Sequence, residues 1–551
     1  MTGVDPANIA AGLTAMARER PDALAALAPA GRDRSGRARH VHLTFRQLDV
    51  ESDLVAAGLV DRGIGRGVRA VLMVKPGLSF FTLTFGLFKA GAVPVLVDPG
   101  LGIRNLGRCL AEAEPGAFLG IPRAQLARRV LGWGRATIRT SVTITPGWSA
   151  RSLQIDPIPS GAGPAPPNEA TRPDDTAAIL FTSGSTGVPK GVVYTHAIFR
   201  AQVDLLRVTY DIRPGEVDLC TFPLFALFGP ILGMTCVVPE MDATRPGRVD
   251  PTRIIEAIED FGVTNLFGSP ALVRRVGDHG ARHGIKLPGL RRVISAGAPV
   301  PARVLETCSR LLAPDARIFT PYGATESLPV CSIGSDEILG ETRHETDRGA
   351  GVCVGRPVEG MQVQIIAIQD EPIATWSGHL AVPDGTIGEI AVRGPVVTRT
   401  YFGRPEATAL AKIDDPASGG FWHRMGDVGY RDELGRIWFC GRKSHRVVTP
   451  EGTLFTIPVE GVFNTHRGVA RTALVGVGEP GRARPVLCVE LAGDRRSWER
   501  VRSELLDRGK TNPITCRVVT FLRHPGFPVD IRHNAKIFRE QLAAWAAKEL
   551  A

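Results

Sequence analysis

Apolar and polar residues alternate in segments typical of both strands and helices over the first 154 or so residues. Residues 68–74 are apolar enough for a buried strand, and residues 79–90 have the pattern of a helix that follows it. The alternation resumes from residue 176 to about residue 440, where 263–267 and 292–295 read as further strands. Strands and helices in this order favour largely parallel sheets covered by helices, which is an α/β fold.

Two changes of pattern divide the chain. Residues 156–175 contain six prolines together with Gly, Ala, Asn and Thr, which predicts a surface linker or loop. After residue 441 the strands and helices become short, and the remaining length suits a separate small domain. We therefore predict a large N-terminal domain over residues 1–441 and a small α+β domain over residues 442–551.

Composition narrows the class of protein. At 551 residues the chain exceeds one hydrophobic core, and its 44% hydrophobic and 22% charged residues are ordinary globular values. We expect no transmembrane segment, because every apolar run is interrupted well short of a membrane span, and the N-terminus lacks the pattern of a signal peptide. Nine cysteines without a CxxC pair indicate reduced thiols, so we expect a cytoplasmic protein without a zinc site.

The net charge of +10 raises the question of a nucleic-acid partner. The basic residues are nearly all arginine and are scattered along the chain, whereas nucleic-acid binding favours a clustered stripe. We therefore expect no nucleic-acid partner. A weak attraction to acidic membrane surfaces is compatible with this charge.

The segment 181–191, FTSGSTGVPKG, is the most informative of the chain. It follows the apolar run 177–180, and its glycines and hydroxyls can turn donors toward an anion while the lysine adds a full charge. It differs from the Walker loop because Gly191 follows the lysine, so a Mg²⁺-binding hydroxyl is missing there. A flexible Gly/Ser linker is the alternative interpretation. We predict a polyphosphate-binding loop formed by Thr182, Ser183, Gly184, Ser185, Thr186, Gly187 and Lys190.

This loop resembles the phosphate-binding signature of the adenylate-forming superfamily, which includes acyl-CoA synthetases, peptide-synthetase adenylation domains and luciferases. Other segments resemble that superfamily's motifs in the same order. They are Ser295-Ala296-Gly297-Ala298-Pro299, Tyr322-Gly323-Ala324-Thr325-Glu326, Met425-Gly426-Asp427, Gly441-Arg442-Lys443 and Asn534-Ala535-Lys536.

The resemblance implies an enzyme that uses ATP and Mg²⁺ to join a carboxylate to AMP. It implies that Gly297, Ala298, Pro299, Tyr322 and Gly323 surround the adenine. Asp427 would accept hydrogen bonds from both ribose hydroxyls, with Arg442 beside it.

The same resemblance assigns the groups around the reacting phosphate. Thr325 would contact the α-phosphate, and Glu326 would be the Mg²⁺ ligand. Lys536, on a mobile C-terminal domain, would bridge the carboxylate and α-phosphate oxygens in the transition state.

Two departures from the acyl-CoA synthetases concern the thioester step. Ala226 stands where those enzymes usually have a histidine in the carboxylate pocket. The segment 447–453 contains Pro450 and Glu451 where they have a glycine-rich turn along the pantetheine tunnel. Both changes argue against a CoA reaction and leave adenylation intact.

The segment 222–246 resembles the β-lactone synthetases of bacterial long-chain olefin biosynthesis. That resemblance implies a long-chain 2-alkyl-3-hydroxy acid as substrate, whose 3-hydroxyl expels AMP to close a four-membered lactone. Phe225, Ala226 and Phe228 would line its pocket, and His196 and His445 are candidates for taking the hydroxyl proton. It also implies a thiolase, a reductase and a decarboxylase of the olefin pathway as partners.

Two other functions stay open at this point. The first is a long-chain fatty acyl-CoA ligase or acyl-AMP ligase of the same fold, which would need CoA or a carrier protein. The second is a non-catalytic nucleotide- or nucleic-acid-binding protein, which would bind DNA in a salt-sensitive way and tolerate Lys536→Ala.

Overall fold

The computed structural model describes residues 6–145, 147–149, 170–181, 189–493, 497–529 and 536–551. The phosphate-loop residues 182–188 lie outside this description, as do most of the proline-rich stretch and Asn534-Ala535. The helices are α1 (Ala11–Glu19), α2 (Phe45–Val60), α3 (Leu78–Lys89), α4 (Ile103–Ala113), α5 (Pro122–Leu131), α6 (His196–Thr209), α7 (Pro223–Ala226), α8 (Phe228–Ile231), α9 (Pro251–Phe261), α10 (Pro270–His283), α11 (Ala302–Ser309), α12 (Ser335–Glu337), α13 (Arg343–Arg348), α14 (Pro405–Ala411), α15 (Thr456–Asn464), α16 (Trp498–Lys510) and α17 (Arg539–Leu550).

The strands form five sheets, and the first begins at Leu24 and the last ends at Arg523. They are β1 (Leu24–Arg32), β2 (Ala38–Thr44), β3 (Arg69–Met73), β4 (Val93–Leu96), β5 (Ala117–Gly120), β6 (Thr140–Thr143), β7 (Thr176–Phe181), β8 (Gly191–Thr195), β9 (Val217–Cys220), β10 (Thr235–Val237), β11 (Asn265–Gly268), β12 (Arg292–Ser295), β13 (Arg317–Phe319), β14 (Tyr322–Ala324), β15 (Ser327–Ser332), β16 (Val352–Pro357), β17 (Gln362–Ile366), β18 (Gly388–Arg393), β19 (Lys412–Asp415), β20 (Gly420–Arg431), β21 (Ile437–Arg442), β22 (Val447–Thr449), β23 (Gly452–Leu454), β24 (Val469–Val477), β25 (Arg484–Leu491) and β26 (Thr520–Arg523).

Two of these sheets are parallel except at one edge. The seven-stranded sheet has the order β13-β12-β11-β9-β10-β1-β2, and only β2 is antiparallel to its neighbour. The six-stranded sheet has the order β6-β5-β3-β4-β7-β8, and only β8 is antiparallel. The predicted parallel sheets with covering helices are therefore confirmed.

Helix α3 shows how the two parallel sheets share a core. Its residues Phe80–Lys89 are all buried, and they belong to one cluster with residues of both sheets. The apolar run of residues 79–90 was predicted as this helix. Helices α4 and α5 cover the opposite face of the six-stranded sheet, where they enclose a second cluster around Phe118 and Leu110.

Helix ends follow the local sequence. Thr44 and Gln47 form a capping box at the start of α2, in which each side chain accepts a hydrogen bond from the other residue's backbone N–H. Helix α9 begins with the Asp250 cap and Pro251, and it ends at Gly262, whose φ of 58° lies in the left-handed region that glycine favours.

The part of the chain from residue 322 to residue 442 differs from the sequence-based expectation. Here β14 to β21 form an eight-stranded antiparallel sheet, with only the short helices α12, α13 and α14 and single helical turns between its strands. Antiparallel neighbours need only short turns, so this stretch lacks the crossover helices that a parallel sheet requires. The interpretation of the whole 176–440 region as alternating strands and helices was wrong for this sheet.

The C-terminal residues form a small α+β domain with its own core. Helix α15 packs against β24, and Phe463, Leu474, Leu487 and Phe521 are among the residues buried there. Strand β21 ends at Arg442, and a single 3₁₀ turn over Lys443–His445 leads into this domain. The predicted boundary at 441–442 falls at this turn and stays a prediction.

A buried ion pair fastens this turn to the antiparallel sheet. The Glu389 carboxylate accepts hydrogen bonds from Arg424 at 2.7 and 3.1 Å and from Lys443 at 3.2 Å, and the Glu389 and Arg424 side chains are almost fully buried. We expect Glu389→Ala to lower the free energy of unfolding by about 3–5 kcal/mol, because it leaves a buried guanidinium unpaired. Urea denaturation measures this change, and Glu433→Ala in an exposed turn is the control. An equal, small effect of both substitutions would contradict the expectation.

Candidate active site

One large cavity of about 2420 Å³ lies where the three large sheets and the C-terminal domain meet. Strand ends, loops and the 3₁₀ turn after β21 all contribute to its wall. The predicted site residues of the described part of the chain that line it are Lys190, Phe225, Phe228, Gly297, Ala298, Pro299, Tyr322, Gly323, Thr325, Glu326, Asp427, Arg442 and Lys536. Residues from distant parts of the sequence are thus brought to one place.

A carboxylate with one hydrogen-bond donor and one neighbouring guanidinium lies on the antiparallel side of the cavity. Asp427 and Arg442 are register partners in β20 and β21, and the Arg442 Nη1 atom is 3.0 Å from Asp427 Oδ1. The Tyr322 hydroxyl donates to Asp427 Oδ2 at 2.7 Å. Burial raises the pKa of the Asp427 carboxyl, while Arg442 and the Tyr322 hydrogen bond oppose that rise.

The same burial and the neighbouring carboxylate raise the pKa of the Tyr322 phenol well above its ordinary value. Tyr322 therefore stays a hydrogen-bond donor at neutral pH. The arrangement leaves a fixed carboxylate beside an aromatic ring, which suits a sugar with neighbouring hydroxyls next to a flat base. Gly426, just before Asp427, has a φ of 66°, a backbone conformation that glycine favours.

A second carboxylate, Glu326, is held by a residue that the sequence interpretation missed. The Tyr401 hydroxyl donates to Glu326 Oε1 at 2.7 Å, and Lys190 Nζ lies 4.8 Å from the centre of the Tyr401 ring. The Glu326 carbonyl accepts from the Thr398 backbone N–H at 2.9 Å, and the Thr325 carbonyl accepts from the Tyr194 hydroxyl. The turn between β14 and β15 that carries Thr325 and Glu326 is therefore fixed on both sides.

The predicted phosphate loop lies in the sequence between β7 and the edge strand β8. Phe181 and Gly191 are register partners at its two ends, and Phe181 and Lys190 both line the cavity. Val192 pairs with Tyr401 in an isolated bridge, which brings the C-terminal end of the loop beside Glu326. Residues 182–187 lie outside the described residues, so their assignment to a phosphate site stays a prediction.

The C-terminal domain contributes cations and a histidine to the opposite side of the cavity. Lys536 lines the cavity, and its charge lowers the pKa of Asp427. Arg539, three residues further along the chain, forms a bidentate ion pair with Glu460. Its Nη1 and Nη2 atoms donate to the two carboxylate oxygens at 2.6 and 2.9 Å. Lys536 and Arg539 therefore both line this side of the cavity, and Lys536 is the one whose charge acts on the Asp427 carboxylate.

The two histidines considered as proton acceptors have different surroundings. His196 is buried, and its Nδ1 accepts the backbone N–H of Ile9 at 3.1 Å, which is a structural role. His445 lines the cavity, and its Nε2 lies 3.3 Å from a Glu540 carboxylate oxygen. Burial and the Arg539 charge lower the pKa of His445 to about 4, so its imidazole is neutral at pH 7.

Aromatic side chains form the apolar wall of the cavity. Phe225 stacks on Phe267 with ring centres 3.9 Å apart, and Phe228 and Phe222 lie next to Phe225 at 6.2 and 5.7 Å. Ala226 is 3% exposed and lies behind this wall rather than on it, so it was wrongly expected to line the pocket. The short helix α7 points neighbouring residues in different directions, and the sequence alone does not show which of them faces inward.

The turn at Pro450 and Glu451 is exposed at the tip of the β22–β23 hairpin. None of the residues 447–455 lines the cavity in this structure. The segment expected to act against a CoA reaction therefore lies away from the cavity in this structure.

Two features are absent from the described residues. No group of three or more His, Cys, Asp or Glu residues is placed to hold a metal ion there. None of the helices in this part of the chain is long and apolar enough to cross a bilayer.

Comparison with known proteins places these features in a family. Residues 13–402 match the model of the AMP-binding enzyme family. Proteins named olefin beta-lactone synthetase are 53% identical to the chain in Xanthomonas campestris pv. campestris (98% of each chain covered) and in Stenotrophomonas maltophilia (99% of each). The ATP-bound structure of MatB from Rhodopseudomonas palustris has the same fold, with a TM-score of 0.78, 20% identity and coverage of 99% of this chain and 100% of that one. The chain belongs to the AMP-binding enzyme family and, within it, groups with the olefin beta-lactone synthetases.

Proposed function

We propose that the protein is an ATP-dependent β-lactone synthetase that acts on a long-chain 2-alkyl-3-hydroxy acid. The observation that carries this proposal is a single cavity in which Tyr322, Asp427 and Arg442 face Lys536 and an aromatic wall extends from them. The polar end suits AMP, and the apolar wall suits alkyl chains. The full-length similarity to olefin beta-lactone synthetases favours this activity over other adenylate-forming reactions.

The first step joins the acid to AMP. A carboxylate oxygen attacks the α-phosphorus of ATP, the bond to the β-phosphate oxygen breaks, and pyrophosphate leaves with that electron pair. Two anions must approach each other, so cations contribute more than a base does. We assign Lys536 to the carboxylate and α-phosphate oxygens, Lys190 and residues 182–187 to the β- and γ-phosphates, and Asp427 to the ribose hydroxyls.

Mg²⁺ fits beside Glu326. This residue offers an ionisable carboxylate held by the Tyr401 hydroxyl, and hard oxygen ligands of this kind suit Mg²⁺, which also takes phosphate oxygens and water. When bound, the ion neutralises phosphate charge. The residues of this chain that position it are Glu326 through its carboxylate and Tyr401 through its hydrogen bond.

The second step closes the ring within the same molecule. The 3-hydroxyl oxygen attacks the acyl carbonyl carbon, the bond from that carbon to the adenylate oxygen breaks, and AMP leaves. Because the nucleophile belongs to the activated molecule, its effective concentration is high when the aromatic wall holds the chain in a bent conformation. The hydroxyl proton must be taken up, and the neutral imidazole of His445 on the cavity wall is the candidate acceptor.

The proposal extends to the setting of the reaction. We place the protein in the cytoplasm, where its free cysteines, of which all but Cys516 are buried, would stay reduced. Its partners would be the thiolase and reductase that supply the hydroxy acid and the decarboxylase that consumes the lactone.

A matched pair of substrates tests the proposal. We expect a long-chain 2-alkyl-3-hydroxy acid to give continuous release of AMP and pyrophosphate in equal amounts with Mg-ATP and no CoA. The same acid without its 3-hydroxyl should give at most one equivalent of pyrophosphate per enzyme, because the acyl-adenylate cannot cyclise. Continuous CoA-dependent turnover of the deoxy acid would instead identify an acyl-CoA ligase.

A further inference from the structure

Helices α4 and α5 present an exposed face of aliphatic and arginine side chains. We call this the α4–α5 face and define it by Ile103, Arg104, Arg123, Leu126, Arg129 and Val130. Its aliphatic members are unusually exposed, with 64% of Ile103, 64% of Leu126 and 74% of Val130 accessible. Arg104, Arg123 and Arg129 are exposed as well.

The orientation of α5 is fixed from its inner side. Gln125 is buried and donates to the Val142 carbonyl at 2.9 Å, and its side-chain oxygen accepts from the Ser141 hydroxyl at 2.8 Å. Leu126 and Val130 therefore point away from the sheet, one helical turn apart on the same side. Since the inner side of α5 is already anchored, these two side chains are not needed for its packing.

The charges of the α4–α5 face have one sign. Within the described part of the chain, Arg104, Arg123 and Arg129 make no ion pair with an acidic residue. The acidic residues at the end of α4 are engaged elsewhere, because Glu112 binds Arg404 at 2.6 Å and Glu114 lies 3.7 Å from Arg69.

The α4–α5 face also borders the cavity. Both helices start at the carboxyl ends of the parallel strands β4 and β5, and the cavity wall includes Val97, Asp98, Ile121 and Ala124 at those same ends. Ala124 directly follows Arg123, and Ile121 lies two positions before it. A surface that contacted the α4–α5 face would therefore lie next to the cavity rim.

We propose that the α4–α5 face docks the protein on an anionic lipid bilayer, with the rim of the cavity turned toward the acyl chains. Arginines attract acidic headgroups, and the aliphatic side chains between them enter the interface. The defined face has no aromatic side chain on which bases could stack, which favours lipid over single-stranded nucleic acid. The choice of a membrane rests partly on the proposed function, since a long-chain hydroxy acid partitions into lipid.

Vesicle flotation of the full-length protein tests this docking. Two triple variants lower the formal charge equally, from +10 to +4: Arg104→Glu, Arg123→Glu, Arg129→Glu on the α4–α5 face, and Arg467→Glu, Arg482→Glu, Arg502→Glu on exposed positions of the C-terminal domain. With vesicles of about 30% phosphatidylglycerol, each interfacial arginine contributes about fivefold, so the first triple should bind about 100-fold more weakly. The second triple should bind nearly as the unmodified protein does.

A second pair of variants isolates the aliphatic contribution. Leu126→Ser with Val130→Ser should weaken binding further at high salt, whereas Val208→Ser with Val519→Ser, at positions 61% and 60% exposed, should not. Failure of the unmodified protein to bind anionic vesicles, or equal losses in both triples, would overturn the proposal. Capture of DNA or of a protein by the α4–α5 face without vesicle binding would overturn it too. Turnover of a short, soluble 3-hydroxy acid should be equal in all variants. This assay needs no membrane, so it distinguishes a failure of the proposed function from a failure of the docking proposal.

Discussion

Lys536→Ala should reduce formation of the acyl-adenylate by about 10²–10³-fold, the usual cost of removing one donor to a developing oxyanion. Lys536 and Asp427 line the same cavity, and the lysine charge lowers the pKa of that carboxyl, so the cation reaches the nucleotide end of the site. ATP binding should change little, because Tyr322, Asp427 and Arg442 remain in place. Pyrophosphate exchange into ATP measures the rate of adenylation. Equilibrium binding measures the affinity of the variant for ATP.

Two comparisons make the result for Lys536 specific. Lys548→Ala removes an exposed lysine from the same domain and should leave pyrophosphate exchange unchanged. A synthetic acyl-adenylate supplied to Lys536→Ala should still close to the lactone, since Lys536 is assigned only to the first step. Pyrophosphate exchange by Lys536→Ala near that of the unmodified enzyme would remove Lys536 from the mechanism.

Glu326→Gln should lower adenylation by about 10²-fold and shift the Mg²⁺ requirement to higher concentrations, because an amide is a much weaker ligand for a hard cation than a carboxylate. The substitution preserves shape, and its amide oxygen can still accept the Tyr401 hydroxyl. Pyrophosphate exchange measured across a Mg²⁺ titration gives both effects.

Tyr401→Phe is the control variant for comparison with Glu326→Gln. It keeps the carboxylate and removes only the hydrogen bond at 2.7 Å, so we expect about a tenfold loss, as for a residue that positions a ligand. A Mg²⁺ titration of Glu326→Gln that coincides with that of the unmodified enzyme would contradict the assignment of Glu326.

Short, contiguous motifs allowed much of the site to be predicted from the sequence. Tyr322, Glu326, Asp427 and Arg442 were each named from local strings, and the structure brings all four to one cavity. Helix α3 was equally predictable, since most of its residues are apolar. These features are encoded by residues that are close together in the sequence, so they can be recognised without knowledge of the fold.

The features that the sequence interpretation missed depend on long-range contacts. Tyr401 is an isolated residue, 75 positions from Glu326, and backbone contacts such as the bridge between Val192 and Tyr401 bring it to the cavity. The wrong placement of Ala226 has a similar cause, because the packing of α7 and α8 decides which side of a short helix faces inward. In the antiparallel sheet of β14 to β21, the pairing of β16 with β21 likewise joins strands that are distant in the chain.

The measurement that tests the central claim most directly is proton NMR of the lipid product formed from Mg-ATP and a long-chain 2-alkyl-3-hydroxy acid without CoA. The account predicts the ring protons of a β-lactone, in an amount equal to the AMP released. Accumulation of the acyl-adenylate that is resolved only when CoA is added, and then to a thioester, would contradict it.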